Sequence, residues 1–515
     1  MRRFYSTLKP RKKLSILSKK NVQLNTPART RFAPSPTGFL HMGSLRTALY
    51  NYLLAKHTGG QFLLRLEDTD QKRLIKGAEN NIYESLKWCG LNWDEGPIVG
   101  GPHEPYRQSD RSLIYQKYTD KLIKSNNAYR CFCSKTRLDG LRESAQKLTP
   151  PTTVSYDRNC AHLSKEESSE RAKSGELFTV RFKSPGKYPK FNDLLHGNLD
   201  LQPQVNKDDV RYDDFVLMKS DNLPTYHFAN VIDDHLMKIS HVIRGEEWLP
   251  STPKHIALYS ALGWEPPQFI HIPLLTSTKD KKLSKRSGDI DVMNFAKKGI
   301  LPEALINFVS LFGWSPKNKD SNSEVLDLNQ LVKAFDINDL TKGNAKVEDK
   351  KLYFFNKTYL LKRMENNDKE IFNQGYELLS ANFPDLTKDR SDELIKTVGH
   401  NLTTIQEITE YGYLISLDYS NDHTEKFLGS HNLNESRFIL SKFQHLENIE
   451  EIDSIINSLK ISKKDVFKTL RFALAASKPG LNIPSLVKFL GIETTNYRLE
   501  KGLEIIESKL NNTSI

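Results

Sequence analysis

In the stretch "RFAPSPTGFLHMGS", residues 31–44, two prolines, two glycines and one histidine stand together with a single formal charge, although the chain as a whole is 27% charged. His41-Met42-Gly43-Ser44 then opens a run with helical spacing. A helix N-terminus offers unpaired N–H groups and a partial positive charge, and an imidazole beside it can donate to a phosphate oxygen. Gly43, with no Cβ, lets a flat ligand approach the backbone. Neither G-x-x-x-x-G-K-[ST] nor G-x-G-x-x-G follows the first strand, which sets aside the two commonest phosphate-binding signatures. A second phosphate-seeking string lies far downstream. "DKKLSKRSGD", residues 280–289, places four cations in six positions and interleaves Leu283 and Ser284. Such a loop can fold over a triphosphate and neutralise charge developing on a departing pyrophosphate. Alone, the first string is a capping histidine and the second a solvated loop; together they point to nucleotide chemistry.

The cysteines form another constellation. Cys131-Phe132-Cys133 and Cys160-Ala161-His162, with 26 residues between the two pairs, supply three sulfurs and one imidazole, a sensible tetrahedral zinc set. The competing reading is reduced, unligated thiols, as befits a chain whose four cysteines show no extracellular framework. Cys89, in "SLKWCGLNWDEG", reads as core.

The elements that must position these groups follow from periodicity. "ARTRFA" is a short strand, "GSLRTALYNYLLAKHTGG" a helix carrying Leu45, Ala48, Leu49, Tyr52 and Leu53 on one face, and "QFLLRLE" a second strand. Strand, helix and strand this close together form a parallel βαβ unit, which puts residues 31–44 at a strand's carboxyl end and a helix's amino end, where open α/β sheets bind ligands. A second such pattern comprises "MKISHVIRGEE", "STPKHIALYSALG" with a Ser cap, and "QFIHIPLL". The region between the two is mixed and turn-rich, as an insertion splitting one sheet would be. Beyond about residue 300 the chain reads as helical.

At 515 residues and 38% hydrophobic the chain is large enough for several globular domains, and no apolar run approaches the roughly 18 to 20 residues of a membrane span. The net charge of +12 favours a polyanionic partner. Part of it sits in residues 1–30, which hold nine Lys or Arg and no acid, the first carboxylate being Glu67. That composition reads as a mitochondrial transit peptide, with a nucleic-acid-binding tail as the competing reading.

"APSPTGFLHMGSLRTALYN" and "KKLSKR" resemble the HIGH and KMSKS motifs of class I aminoacyl-tRNA synthetases. "RLEDTDQKR", "PTYHFANVIDDHLMKISHVIRGEEWLPSTPKH" and "LPEALINFVSLFGWS" resemble, specifically, glutamyl-tRNA synthetases of the bacterial and organellar type. The HIGH tetrapeptide departs at its second and fourth positions, where Met42 and Ser44 stand.

The resemblance implies an α/β fold: a Rossmann-type parallel-sheet catalytic domain split by an insertion, followed by an all-α anticodon-binding region. It divides the chain into a transit peptide (1–28), a first catalytic half (29–107), an acceptor-stem-binding insert (108–225), a second catalytic half with the KLSKR loop (226–292), a stem-contact domain (293–365) and a helical anticodon-binding domain (366–515). It assigns ATP to His41, Gly43, Glu247, Lys282, Leu283, Ser284, Lys285 and Arg286, with His41, Lys282 and Lys285 catalytic. It assigns the amino acid to Arg31, Phe32, Ala33, Ser35, Glu67, Tyr226, His227, Phe228, Ala229, Asn230 and Arg244.

Glutamate carries two carboxylates and one ammonium, so its pocket needs two cations and one anion. Arg244 suits the side-chain carboxylate through a bidentate fork, whereas a glutamine pocket would leave that guanidinium unpaired. The expected partners are therefore L-glutamate, ATP with Mg2+, and tRNA(Glu), with tRNA(Gln) as a second candidate. The chain is expected to be a monomer of the mitochondrial matrix, and the cysteine set a structural zinc site, as in some bacterial relatives. The competing readings are a glutaminyl-tRNA synthetase and a catalytically inactive tRNA-binding paralogue.

Overall fold

The computed structural model describes residues 26–276, 291–316, 324–343, 345–346, 349–448 and 450–513. Most of the basic leader and all of the lysine-bearing string 280–289 lie outside them.

The first βαβ unit forms as its periodicity requires. Strand β1 (Arg29–Phe32) pairs parallel with β2 (Gln61–Leu64), and helix α1 (Met42–His57) crosses between them. Leu45, Ala48, Leu49 and Leu53 of α1 are buried, but so are Arg46, Tyr50 and Asn51, so the helix is covered nearly all round. Gly60 closes the unit. A Cβ there would lie 1.9 Å from the main-chain oxygen of Ala28, the acceptor of the Gln61 N–H. Gly60→Ala is therefore expected to cost roughly 3 kcal/mol by overpacking against backbone, read as a lowered midpoint in thermal unfolding.

After helix α2 (Ala78–Trp88) comes the region read as an insertion: α3 (Ser112–Lys124), β3 (Ala128–Cys131), α4 (Lys135–Lys147), α5 (Lys165–Lys173), β4 (Thr179–Phe182), β5 (Phe191–Asp193), β6 (Gly197–Leu199) and β7 (Val216–Met218). Strands β3, β4 and β7 make an antiparallel sheet of their own. Strands β5 and β6 turn back toward the second βαβ pattern.

That pattern consists of α6 (Tyr226–Leu236), β8 (His241–Gly245), α7 (Thr252–Leu262) and β9 (Gln268–Ile272). β8 and β9 pair parallel, and the four-stranded order is β6-β5-β9-β8. Its free edge meets β1: Ser240 N–H donates to the Arg29 carbonyl at 2.9 Å. Leu63, Val242, Phe269, Met237 and Ile256 close one core beneath this junction, each contributing about 2 kcal/mol of burial. The expected Ser cap of α7 is absent, because the 3₁₀ turn Glu246–Ser251 runs straight into the helix and leaves Ser251 in helical geometry. Pro253 in the first turn and left-handed Gly263 mark its ends instead.

The chain divides into two compact units. Met1–Val292 with Val309–Val347 contains every strand named above, and Met293–Phe308 with Glu348–Ile515 is helical among its described residues. Among the described residues no helix is long and apolar enough to cross a membrane.

Candidate functional site

A cavity of about 800 Å³ opens at the carboxyl ends of β1 and β8 and the amino end of α1, the crevice where open α/β sheets bind ligands. Of the residues assigned to the amino acid, Arg31, Phe32, Ala33, Ser35, Glu67, Tyr226, Asn230 and Arg244 line it. His227, Phe228 and Ala229 do not, and this corrects their assignment. Successive residues of α6 turn by about 100°, so Tyr226 and Asn230 share the cavity face while the three between them turn away. Phe228 and Ala229 are fully buried in the core, and the His227 ring bonds His255 at 3.0 Å.

The same face of α6 carries an acidic pair that spacing alone did not single out. Asp234 takes Arg31 at two points, Nε at 3.0 Å and Nη2 at 3.3 Å, and takes Arg65 Nη1 at 2.6 Å. Asp233 takes Arg111 at 2.7 Å, and Glu67 takes Arg65 Nη2 at 3.0 Å. With its amide oxygen toward Arg31 and Arg65 and its nitrogen toward Asp234, Asn230 lies 3.2–3.3 Å from all three. Three guanidiniums and three carboxylates thus balance on this side of the cavity. Burial pushes the Glu67 carboxyl up, against the opposing pull of Arg65 and Arg31, while the Asp234 carboxyl lies below the usual range because both arginines outweigh its burial. Arg65, inside the apolar "FLLRLE", and the adjacent acids of "NVIDDH" are the signal that could have found this cluster: charges in runs otherwise buried.

Arg244 differs. It is 4% exposed and touches only neutral groups: Nε donates to His271 Nε2 at 3.0 Å, Nη1 to Tyr226 Oη and His255 Nδ1 at 3.2 Å each, and Nη2 to Thr252 Oγ1 at 2.9 Å. Among the described residues no carboxylate contacts it. The expected two-pronged fork is not available from Arg244 alone, because its own neighbours occupy all but one N–H, on Nη2. Tyr226 accepts from Arg244 and keeps its own hydrogen to donate, so guanidinium and phenol together supply the two prongs. The Trp248 ring packs over Tyr226 at 4.2 Å and closes this wall.

His41, which also lines the cavity, caps α1. Its Nδ1 accepts the Ser44 N–H at 3.3 Å, and Nε2 lies 3.1 Å from Ser44 Oγ. Ser44, where the HIGH motif has its second histidine, is thus the partner of the first. Gly43 stands close under the same ring: a Cβ there would lie 3.2 Å from His41 Cε1 and Nδ1, so the ring would have to shift by a few tenths of an ångström. Glu247 lines the cavity too, its carboxylate folded so tightly over Gly245 that a Cβ at that position would meet Oε2 at 2.0 Å.

Arg46, buried but also lining the cavity, holds the carbonyls of Phe312, at 3.1 Å, and Pro273. Lys282, Leu283, Ser284, Lys285 and Arg286 fall outside the described residues. Their flanks do not. Leu275 lines the cavity, the main chain of Asp291 bridges that of His41, and Val292 N–H donates to the Leu40 carbonyl at 2.9 Å.

The sulfurs of Cys131, Cys133 and Cys160 lie within 4.8 Å of one another. The fourth donor beside them is not His162. Cys160 and His162 sit two residues apart in a 3₁₀ turn of three residues per turn, which buries the sulfur and exposes the imidazole. Tyr156 takes that place, its hydroxyl 3.3 Å from Cys131 Sγ and 3.4 Å from Cys133 Sγ.

Residues 27–354 match the family described as tRNA synthetases class I (E and Q), catalytic domain, and residues 374–503 match the anticodon binding domain. A mitochondrial glutamate–tRNA ligase of Saccharomyces cerevisiae is 52% identical over 97% of this chain and 95% of its own length. The chain belongs to the glutamate–tRNA ligase family. A glutamate–tRNA ligase of Clostridioides difficile is 40% identical over 92% of the chain and 98% of its own length. A crystal structure of a glutamate tRNA ligase from Elizabethkingia meningosepticum, in complex with its amino acid, superposes with a TM-score of 0.81 at 34% identity, covering 93% of this chain and all of that one. In this glutamate–tRNA ligase fold the expected parallel-sheet catalytic domain and helical carboxyl-terminal region are both present.

Proposed function

We propose that the chain joins L-glutamate to tRNA through a glutamyl-adenylate, at the expense of ATP, in mitochondrial translation. The observation that carries the choice of amino acid is Arg244, a buried cation that lines the cavity and whose hydrogen-bond partners among the described residues are all neutral. A side-chain carboxylate completes it; a neutral amide leaves the charge uncompensated. Arg31 and Asn230 flank the α-carboxylate, and Glu67 receives the ammonium. Aminoacyl-tRNA synthetases generally use ATP with Mg2+. The α-carboxylate attacks the α-phosphorus, pyrophosphate leaves, and the glutamyl group passes to the terminal adenosine of the tRNA. His41 and the α1 N-terminus stabilise the phosphate oxygens, Glu247 contacts the nucleotide, and Lys282 and Lys285 hold the pyrophosphate. No covalent enzyme intermediate is required: positioning and electrostatics suffice.

The finer assignments are a monomer of the matrix with the domain boundaries set out above, and tRNA(Gln) as a second substrate. Exchange of pyrophosphate into ATP, with glutamate or glutamine and with tRNA present, tests the reading. Glutamate-dependent exchange and charging of tRNA(Glu) are expected. Exchange with glutamine alone would establish a glutaminyl enzyme, and none with either an inactive paralogue. Charging of purified mitochondrial tRNA(Gln) decides the second substrate.

For the thiol cluster we propose one structural zinc on Cys131, Cys133 and Cys160. Tetrahedral zinc at about 2.3 Å from each sulfur places sulfurs roughly 3.8 Å apart, and Cys133 and Cys160 already stand at 3.5 Å. Tyr156 is the fourth donor by position. Elemental analysis is expected to find about one zinc per chain in the wild type and a loss of it in Cys133→Ser, with a lowered unfolding temperature.

A further inference from the structure

Arg244 has a support that reaches it from outside both βαβ units. Strand β5, in the region read as an insertion, pairs with β9 at Asp193 and Phe269, which brings Asp193 beside His271. The Asp193 carboxylate is 1% exposed and takes four N–H donors: Leu195 and His196 main chain on Oδ1, at 3.0 and 2.8 Å, and His271 main chain and Nδ1 on Oδ2, at 3.1 and 2.7 Å. A carboxylate at 2.7 Å from Nδ1 puts the His271 hydrogen on that nitrogen, which leaves Nε2 as an acceptor. Nε2 is the atom that receives the Arg244 Nε–H.

We infer that Asp193, acting through His271, is the positioning pair that aims Arg244 at the substrate's side-chain carboxylate. The inference rests on the reading of Arg244 as the carboxylate-binding residue. The pair does two things that a direct Asp–Arg contact could not do together. It fixes the plane of the guanidinium, because an acceptor at Nε and another at Nη2, Thr252 Oγ1, define the fork's orientation. It also keeps the counter-charge one imidazole away, so the cation is held without being neutralised in contact and still requires an anion in the cavity. A carboxylate in the place of His271 would satisfy Arg244 internally and remove that requirement.

His271 must be neutral for this, since a second ring hydrogen on Nε2 would point at the Arg244 N–H. Burial, with Arg244 and His196 adding to it against the opposing pull of Asp193, lowers the ring to about 4, so the neutral form holds at physiological pH. His255 follows the same logic on the other branch: its Nδ1 faces Arg244 Nη1, its Nε2 faces His227 Nδ1, and burial keeps it neutral.

The test uses the full chain and measures KM for glutamate, KM for ATP and kcat in pyrophosphate exchange with tRNA(Glu) present. In Asp193→Asn the amide nitrogen must face either the turn N–H groups or His271. Facing His271, it reverses the tautomer and sets donor against donor at Arg244. His271→Leu removes the acceptor, and His271→Gln restores one. Because misplacement of a binding group by about 1 Å can cost two decades, Asp193→Asn and His271→Leu are expected to raise KM for glutamate by about tenfold or more. KM for ATP should stay within about twofold, and His271→Gln should recover most of the loss.

Unchanged KM for glutamate in Asp193→Asn and His271→Leu would overturn the inference. So would a parallel rise in both KM values with a fall in kcat, or a His271→Gln no better than His271→Leu. Should His271→Leu fail to fold, Asp193→Asn against His271→Gln carries the same comparison. An Arg244→Gln control separates the two levels: if that variant alone binds glutamate normally, the reading of Arg244 fails, whatever Asp193 does.

Discussion

Arg244→Gln is expected to lower kcat/KM for glutamate by about a thousandfold and to bring the ratio of glutamate to glutamine use close to one. Removing one partner of a buried, hydrogen-bonded charge pair costs about 3–5 kcal/mol, and each 1.4 kcal/mol is a factor of ten. The free enzyme should tolerate the change. Arg244 rests on His271, His255, Thr252 and Tyr226, all neutral, so a neutral amide strands no carboxylate. Parallel exchange assays with the two amino acids, together with an unfolding curve, check this. A variant that folds normally and still prefers glutamate by two decades would place the discrimination elsewhere, with Arg31 the next cation to examine.

The second large effect is expected at His41. The residue is the N-cap of α1 and lines the cavity; the proposed mechanism gives its imidazole to the phosphate oxygens, and the two roles separate by substitution. His41→Asn keeps a side chain that caps well and removes the ring. It should leave the unfolding midpoint near wild type while lowering kcat of adenylate formation by about a hundredfold, the scale seen when one preorganised oxyanion donor is lost. His41→Ala should show the same kinetic loss and, in addition, about 1 kcal/mol of helix destabilisation. KM for glutamate should move little in either, because the proposed mechanism assigns His41 to the phosphates and Arg244 to the amino acid. If His41→Asn retained activity within threefold of wild type, the α1 N–H groups and the lysine loop would be sufficient for the phosphates.

The cavity was legible in the sequence to the extent that its residues sit at the ends of elements. Arg31, Glu67 and Arg244 end or follow strands, and His41 starts a helix, so recognising strand and helix boundaries amounts to locating the cavity. The stretch 226–230 shows the limit of carrying over a run of residues whole. A matching string contributes five positions, but a helix admits only those one turn apart, Tyr226 and Asn230, and sends His227, Phe228 and Ala229 into other surroundings. Asp193 and His271 were out of reach for a different reason. They are 78 residues apart, on strands whose pairing no local pattern reveals, and a histidine within "QFIHIPLL" reads as core. At the thiol cluster, residue type and spacing point to His162, and nothing in them points to Tyr156. The turn geometry that exposes one and buries the other is visible only once the chain is folded.

Helix α6 presents Tyr226 and Asn230 to the cavity and, one turn further on, Asp234 to Arg31 and Arg65, by the rule of every fourth residue, with the hydrophobic core taking positions between. Losing or gaining one residue anywhere from 226 to 234 would rotate the recognition surface into the oil and the oil into the cavity. This short segment can therefore drift in composition over time but not in length.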